Sequence, residues 1–84
     1  MWRIQNPTNM KKSEITECLK AGGSMSVNAE KYFFAELRNC AEAAREGGGT
    51  LTITHSDWLS YERIKTLCRD GRGHITFPEV KTDD

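Results

Sequence analysis

The residues with chemical potential fall into four small groups. Cys18, Cys40 and Cys68 are soft nucleophiles and metal ligands by type. His55-Ser56-Asp57 places a base, a hydroxyl and a carboxylate side by side. Gly47-Gly48-Gly49-Thr50 has the composition of a phosphate-cradling loop. Arg63, Lys65, Arg69 and Arg72, with His74 just beyond, form a basic run. Each group also has a plainer structural explanation, and spacing decides between the two.

Thiolate metal sites need clustered ligands, such as Cys-x-x-Cys or His-x-x-x-His. Neither pair occurs. The cysteines fall on the apolar stripes of three separate helical stretches, where a free cysteine is a small, inert core residue. A hydrolytic triad is assembled from distant segments, because three consecutive side chains cannot aim at one another in a strand-to-helix turn. His55-Ser56-Asp57 is therefore read as that turn. Phosphate loops run strand, glycines, helix, so that a helix N-terminus faces the anion. Here the glycines follow a helix, and the nearby helix end is the negative C-terminus. They are read as a cap. The sequence points to no enzyme, no cofactor, no metal and no small-molecule substrate.

The basic run supports one binding expectation. Lys65, Arg69 and Arg72 share a face at i, i+4 and i+7 if the helix reaches that far, and could contact phosphates in a salt-dependent way. Glu62 and Asp70 lie among them, and the chain as a whole carries twelve basic and twelve acidic residues. A neutral chain has no general field for nucleic acid or anionic lipid. Nucleic-acid binding is accordingly the secondary expectation.

The elements that position these groups are visible in an internal repeat. Gly23-Ser24-Met25-Ser26-Val27, Gly49-Thr50-Leu51-Thr52-Ile53 and Gly73-His74-Ile75-Thr76-Phe77 share one pattern: Gly, polar, apolar, hydroxyl, apolar. The intervals are 26 and 24 residues. Period-2 alternation makes each block a short strand. Trp2-Arg3-Ile4 offers a degenerate fourth. The period falls within that of leucine-rich repeats, but their Leu-x-x-Leu-x-Leu-x-x-Asn pattern is absent, so only the building logic is shared.

Helical spacing fills the intervals. The first helix follows Pro7, with Thr8 or Asn9 as cap and Ile15, Cys18 and Leu19 inward. The second starts from an Asn28 cap, with Val27 and Tyr32 as a hydrophobic staple and Phe33, Leu37, Cys40, Ala41 and Ala44 on one stripe. The third starts at Ser60, with Leu59 and Ile64 as staple and Tyr61, Ile64, Leu67 and Cys68 inward. Glycines at 22–23, 47–49 and 71 end the three.

The expected fold is α/β: a short parallel sheet with helices on one face, two layers built from about three helix–Gly–strand repeats in a solenoid-like manner. A two-layer α+β sandwich with one antiparallel strand is the alternative. One domain should span 1–78, with an acidic, frayed tail at 79–84. Ile, Leu, Val and Phe number only fifteen, which suits a thin core. The odd cysteine count and the lack of an apolar export stretch in Met1–Gln5 point to a reducing cytosol.

A strand layer with one hydroxyl-rich open face is the kind of surface solenoids use for partners. The expected role is thus a small non-enzymatic protein-interaction module or self-associating subunit. Its contact surface is Arg3, Ser26, Thr52, Thr54, His74 and Thr76, with Trp58 at the margin. Trp58 equally suits a cap on the end of the core.

Overall fold

The computed structural model describes residues 10–81. Helices α1 (Lys12–Lys20), α2 (Phe34–Gly47) and α3 (Tyr61–Gly71) alternate with strands β1 (Met25–Asn28), β2 (Leu51–Thr54) and β3 (Ile75–Thr76). The result is a small α/β protein whose three strands form one parallel sheet in the order β1-β2-β3. No described strand is antiparallel, which removes the sandwich alternative. The expected Trp2-Arg3-Ile4 strand and the end of the acidic tail lie outside the described residues.

The register pairs like with like. Met25 stands beside Leu51 and Leu51 beside Ile75, while Ser26, Thr52 and Thr76 form the adjacent row. Alternation then separates two faces. Val27, Leu51 and Ile53 are buried, whereas Ser26 and Thr76 are exposed and Thr52 and Thr54 are half-buried. Leu19, Leu37 and Leu67, one from each helix, join the buried strand residues in a single cluster with Cys40, Ala41 and Ala44. Each fully buried Leu or Ile contributes about 1.5–3 kcal/mol against an extended chain, an upper bound for a real unfolded ensemble.

The helix starts differ from the sequence reading in two places. Helix α1 begins at Lys12, and Lys11 rather than Thr8 or Asn9 is its N-cap residue, its N–H donating to Glu14 Oε1 at 2.8 Å. Asn28 does act as a cap, its Oδ1 accepting the Glu30 N–H at 2.8 Å, but it caps a one-turn 3₁₀ segment, Ala29–Lys31. Helix α2 begins later, and Phe33 is its N-cap residue rather than part of the inward stripe; the ring is 76% exposed. Phenylalanine has no acceptor to offer, so the Glu36 carboxylate supplies the compensation by accepting the Phe33 N–H at 2.8 Å. Phe34 packs against the core in place of Phe33. Helix α3 starts where expected, with the Ser60 hydroxyl accepting the Arg63 N–H at 3.3 Å. Leu59 is buried ahead of it, but Tyr61 is 71% exposed and takes no part in the core.

All three helices close on backbone hydrogen bonds donated by the residues that follow them. Gly23 N–H donates to Cys18 O, Gly48 N–H to Ala44 O and Arg72 N–H to Cys68 O, at 2.8–2.9 Å. The glycines between helix and strand also permit contact of backbone with backbone. A Cβ on Gly49 would collide with the Gly23 carbonyl, and one on Gly47 with the carbonyls of Leu19 and Lys20.

These contacts predict that Gly49→Ala destabilises the fold by about 2 kcal/mol, the scale of an overpacked core. Ser26→Ala, on the exposed row, should stay within ~0.5 kcal/mol of the wild type. Urea unfolding followed by circular dichroism checks both.

Candidate functional site

Three of the expected contact residues form a row. Ser26, Thr52 and Thr76 stand side by side across β1, β2 and β3, with Asn28 and Thr54 paired in the next row but one. Thr54 spends its hydroxyl on the Val27 carbonyl at 3.1 Å. His74 precedes β3, and its imidazole Nδ1–H donates to the Gly49 carbonyl at 2.8 Å. It stitches the glycine turn rather than standing free beside the threonines. Arg3 lies outside the described residues. No described helix covers the row, since the core lies on the opposite face.

Trp58 sits elsewhere, in the turn between β2 and α3. It is 42% exposed and shares a groove with Glu30 and Tyr32. Around it, Ser56 is buried and its carbonyl accepts the Leu59 N–H at 2.9 Å. His55 takes a left-handed conformation (φ 56°), with its N–H on Glu79 Oε1 at 3.0 Å and Nδ1 3.0 Å from Thr54 Oγ1. The His-Ser-Asp run is thus a turn in which Ser56 is buried while His55 and Asp57 are exposed.

The basic face is broken. Lys65 and Arg69 are exposed on α3, but the helix ends at Gly71 and Arg72 is a left-handed C-cap (φ 47°). The i+7 alignment needs a helix that continues, so Arg72 does not extend the face set by Lys65 and Arg69. The cysteines also part company. Cys40 is buried, and burial pushes its thiol pKa up, while the nearby Thr16 hydroxyl at 3.9 Å draws it down by a lesser amount. Cys18 is half-buried and Cys68 is exposed, contrary to its expected place on a buried stripe. The stripe of α3 is narrower than the spacing suggests, with Leu67 and Gly71 its buried members. Among the described residues, no three His, Cys, Asp or Glu side chains gather as a metal site.

A second surface emerges that the helical-stripe reading hid. Five of the seven aromatic residues, Tyr32, Phe33, Phe34, Trp58 and Tyr61, lie where strands end and helices begin. That edge, outside the carboxyl ends of parallel strands, is where open α/β sheets place ligands. Among the described residues, cations stand over four of these rings. Lys12 Nζ is 4.8 Å from the Tyr32 centroid and 5.9 Å from that of Phe33. The Arg63 guanidinium is 4.9 Å from Phe34, and Lys65 Nζ is 5.9 Å from Tyr61. Lys12 is also tied to Glu36 at 2.8 Å. The available signal was the crowding of aromatics into 32–34 and 58–61, where helical spacing turned Tyr32, Phe33 and Tyr61 inward and left only Trp58 at the contact margin.

The Lys12 hydrogen bond, followed by that of Phe33 N–H, holds the Glu36 carboxyl below its ordinary pKa. A depressed carboxylate contributes stability that is present above its unfolded pKa and lost as pH falls through the folded one. Acid titration of Glu36→Gln should therefore show a flatter loss of stability than wild type in the acid range, readable by thermal melts. Alkylation with iodoacetamide should modify Cys68 first and Cys40 only on unfolding, which peptide mapping by mass spectrometry checks. No protein-family model, curated protein or solved structure matches this chain.

Proposed function

We propose that this chain is a non-enzymatic protein-interaction module that self-associates or takes a protein partner on the hydroxyl-bearing face of its sheet. The observation that carries the reading is the row Ser26–Thr52–Thr76, uncovered by any described element. Parallel sheets are almost always covered on both faces. A sheet with helices against one face and short hydroxyl side chains on the other is suited to receiving a second layer. The hydroxyls keep the open face compatible with water and supply hydrogen bonds on docking.

In this reading the three helix–Gly–strand units act as a short solenoid-like stack, and the hydroxyl face is its binding side. The free edges of β1 and β3 among the described residues add unpaired backbone groups that another chain could use. A reducing cytoplasm suits the unpaired cysteines. The alternative reading, phosphate contacts through Lys65, Arg69 and Arg72, is weakened by the departure of Arg72 from the helix face.

Light scattering across a concentration series tests the proposal. Apparent mass should rise with concentration, and Thr52→Lys should weaken association by about tenfold or more, as a charge in a buried contact does. A chain that stays monomeric throughout, and whose immobilised form retains no protein that the Thr52→Lys variant fails to retain, overturns it. Titration with a mixed-sequence oligonucleotide separates the alternative. Binding that falls steeply with salt and is lost on Lys65→Ala and Arg69→Ala would favour phosphate contacts.

A further inference from the structure

We propose that the groove between Trp58 and Tyr32 receives a lysine ammonium group, methylated or not, carried by a protein partner. This deepens the interaction-module reading and rests on it.

The groove has a volume of about 380 Å³ and is lined by Glu30, Tyr32 and Trp58. Two aromatic walls and one carboxylate select by charge. An anion meets Glu30 and the negative faces of the rings, a neutral group gains apolar contact alone, and a cation gains attraction from all three walls. Among the described residues Glu30 makes no ion pair, and Trp58, the strongest π-donor of the set, has no cation over its ring.

The backbone that carries the walls is held in place. Asn28 Oδ1 holds the Glu30 N–H at 2.8 Å, and the Tyr32 N–H donates to Ala29 O at 3.2 Å, with Ala29 fully buried. Trp58 is set by the turn that Ser56 O closes on Leu59 N–H, with Leu59 anchored in the core. Binding therefore need order only side chains and no backbone, which favours affinity from a few contacts. The same edge of the molecule already uses this chemistry with its own cations, on Tyr32 by Lys12 and on Phe34 by Arg63. Lys12 lies outside the groove lining, so among the described residues no cation takes up the space between Tyr32 and Trp58.

The test is titration of isotope-labelled protein with short peptides bearing lysine, trimethyllysine, or the neutral tert-butyl isostere of trimethyllysine. The readout is the Trp58 indole N–H signal, assigned by its loss in Trp58→Phe. The expected result is a saturable shift, with the ammonium peptide at least about tenfold tighter than its neutral isostere. The backbone amides of residues 30–32 report on Trp58 variants. Trp58→Phe should weaken binding about threefold and Trp58→Ala about tenfold or more, while Glu30→Gln narrows the preference for charge. Far-UV circular dichroism confirms that each variant is folded. Equal binding of the ammonium and its isostere, an indole signal unmoved at saturating peptide, or choline binding as tightly as the peptides would overturn the assignment. Running the titration on monomeric Thr52→Lys protein separates this outcome from that of the sheet-face proposal.

Discussion

The structure depends on backbone packed against backbone at the glycine turns. Gly49 lies so close to Gly23, and Gly47 so close to the end of α1, that neither position has space for a side chain. This approach brings the starts of successive strands within hydrogen-bonding reach: Met25 N–H donates to Thr50 O at 2.9 Å and Leu51 N–H to His74 O at 2.8 Å. Those bonds fix the parallel register, and the register fixes which side chains share a face. A one-residue slip would turn Leu51 and Ile53 outward and Thr52 inward. The glycines are thus needed for the close approach of neighbouring turns as well as for ending helices.

A one-sided core follows from that register. Leucines from each helix meet the apolar face of the sheet, and small residues at Ala41, Ala43 and Ala44 let α2 sit between its neighbours. With so few large apolar residues, the chain can line one face only. The opposite face is left to hydroxyls, which tolerate water and can exchange it for a partner's hydrogen bonds. The core and the candidate interaction face are two consequences of one alternation.

The aromatic residues follow a different rule. Phe33 and Tyr61 occupy N-cap and first-turn positions, where helix geometry directs them outward, and Lys12 and Lys65 lie over their rings. Such contacts are worth about 0.5–1 kcal/mol each when exposed. That is too little to organise the fold but enough to favour particular orientations at its edge. Lys12 contributes twice, since its bond to Glu36 also steadies the carboxylate that caps α2.

The sequence by itself determined the alternation of helix and strand, the three glycine punctuations, the start of α3 at Ser60 and the division of each strand into an apolar and a hydroxyl face. These are local properties: period, capping chemistry and the conformational needs of a turn act over a few residues. The row of Ser26, Thr52 and Thr76 could be anticipated because equivalent positions in equivalent strands align when the strands are parallel. Tertiary structure alone decided that Asn28 caps a 3₁₀ turn, that Phe34 rather than Phe33 enters the core, that Cys68 faces solvent, and that Tyr32, Trp58 and Glu30 share one groove. Helical periodicity defines a stripe but not how much of it a neighbour covers. That width depends on how near the next helix and strand can approach, which here is set by the backbone contacts of Gly47 and Gly49.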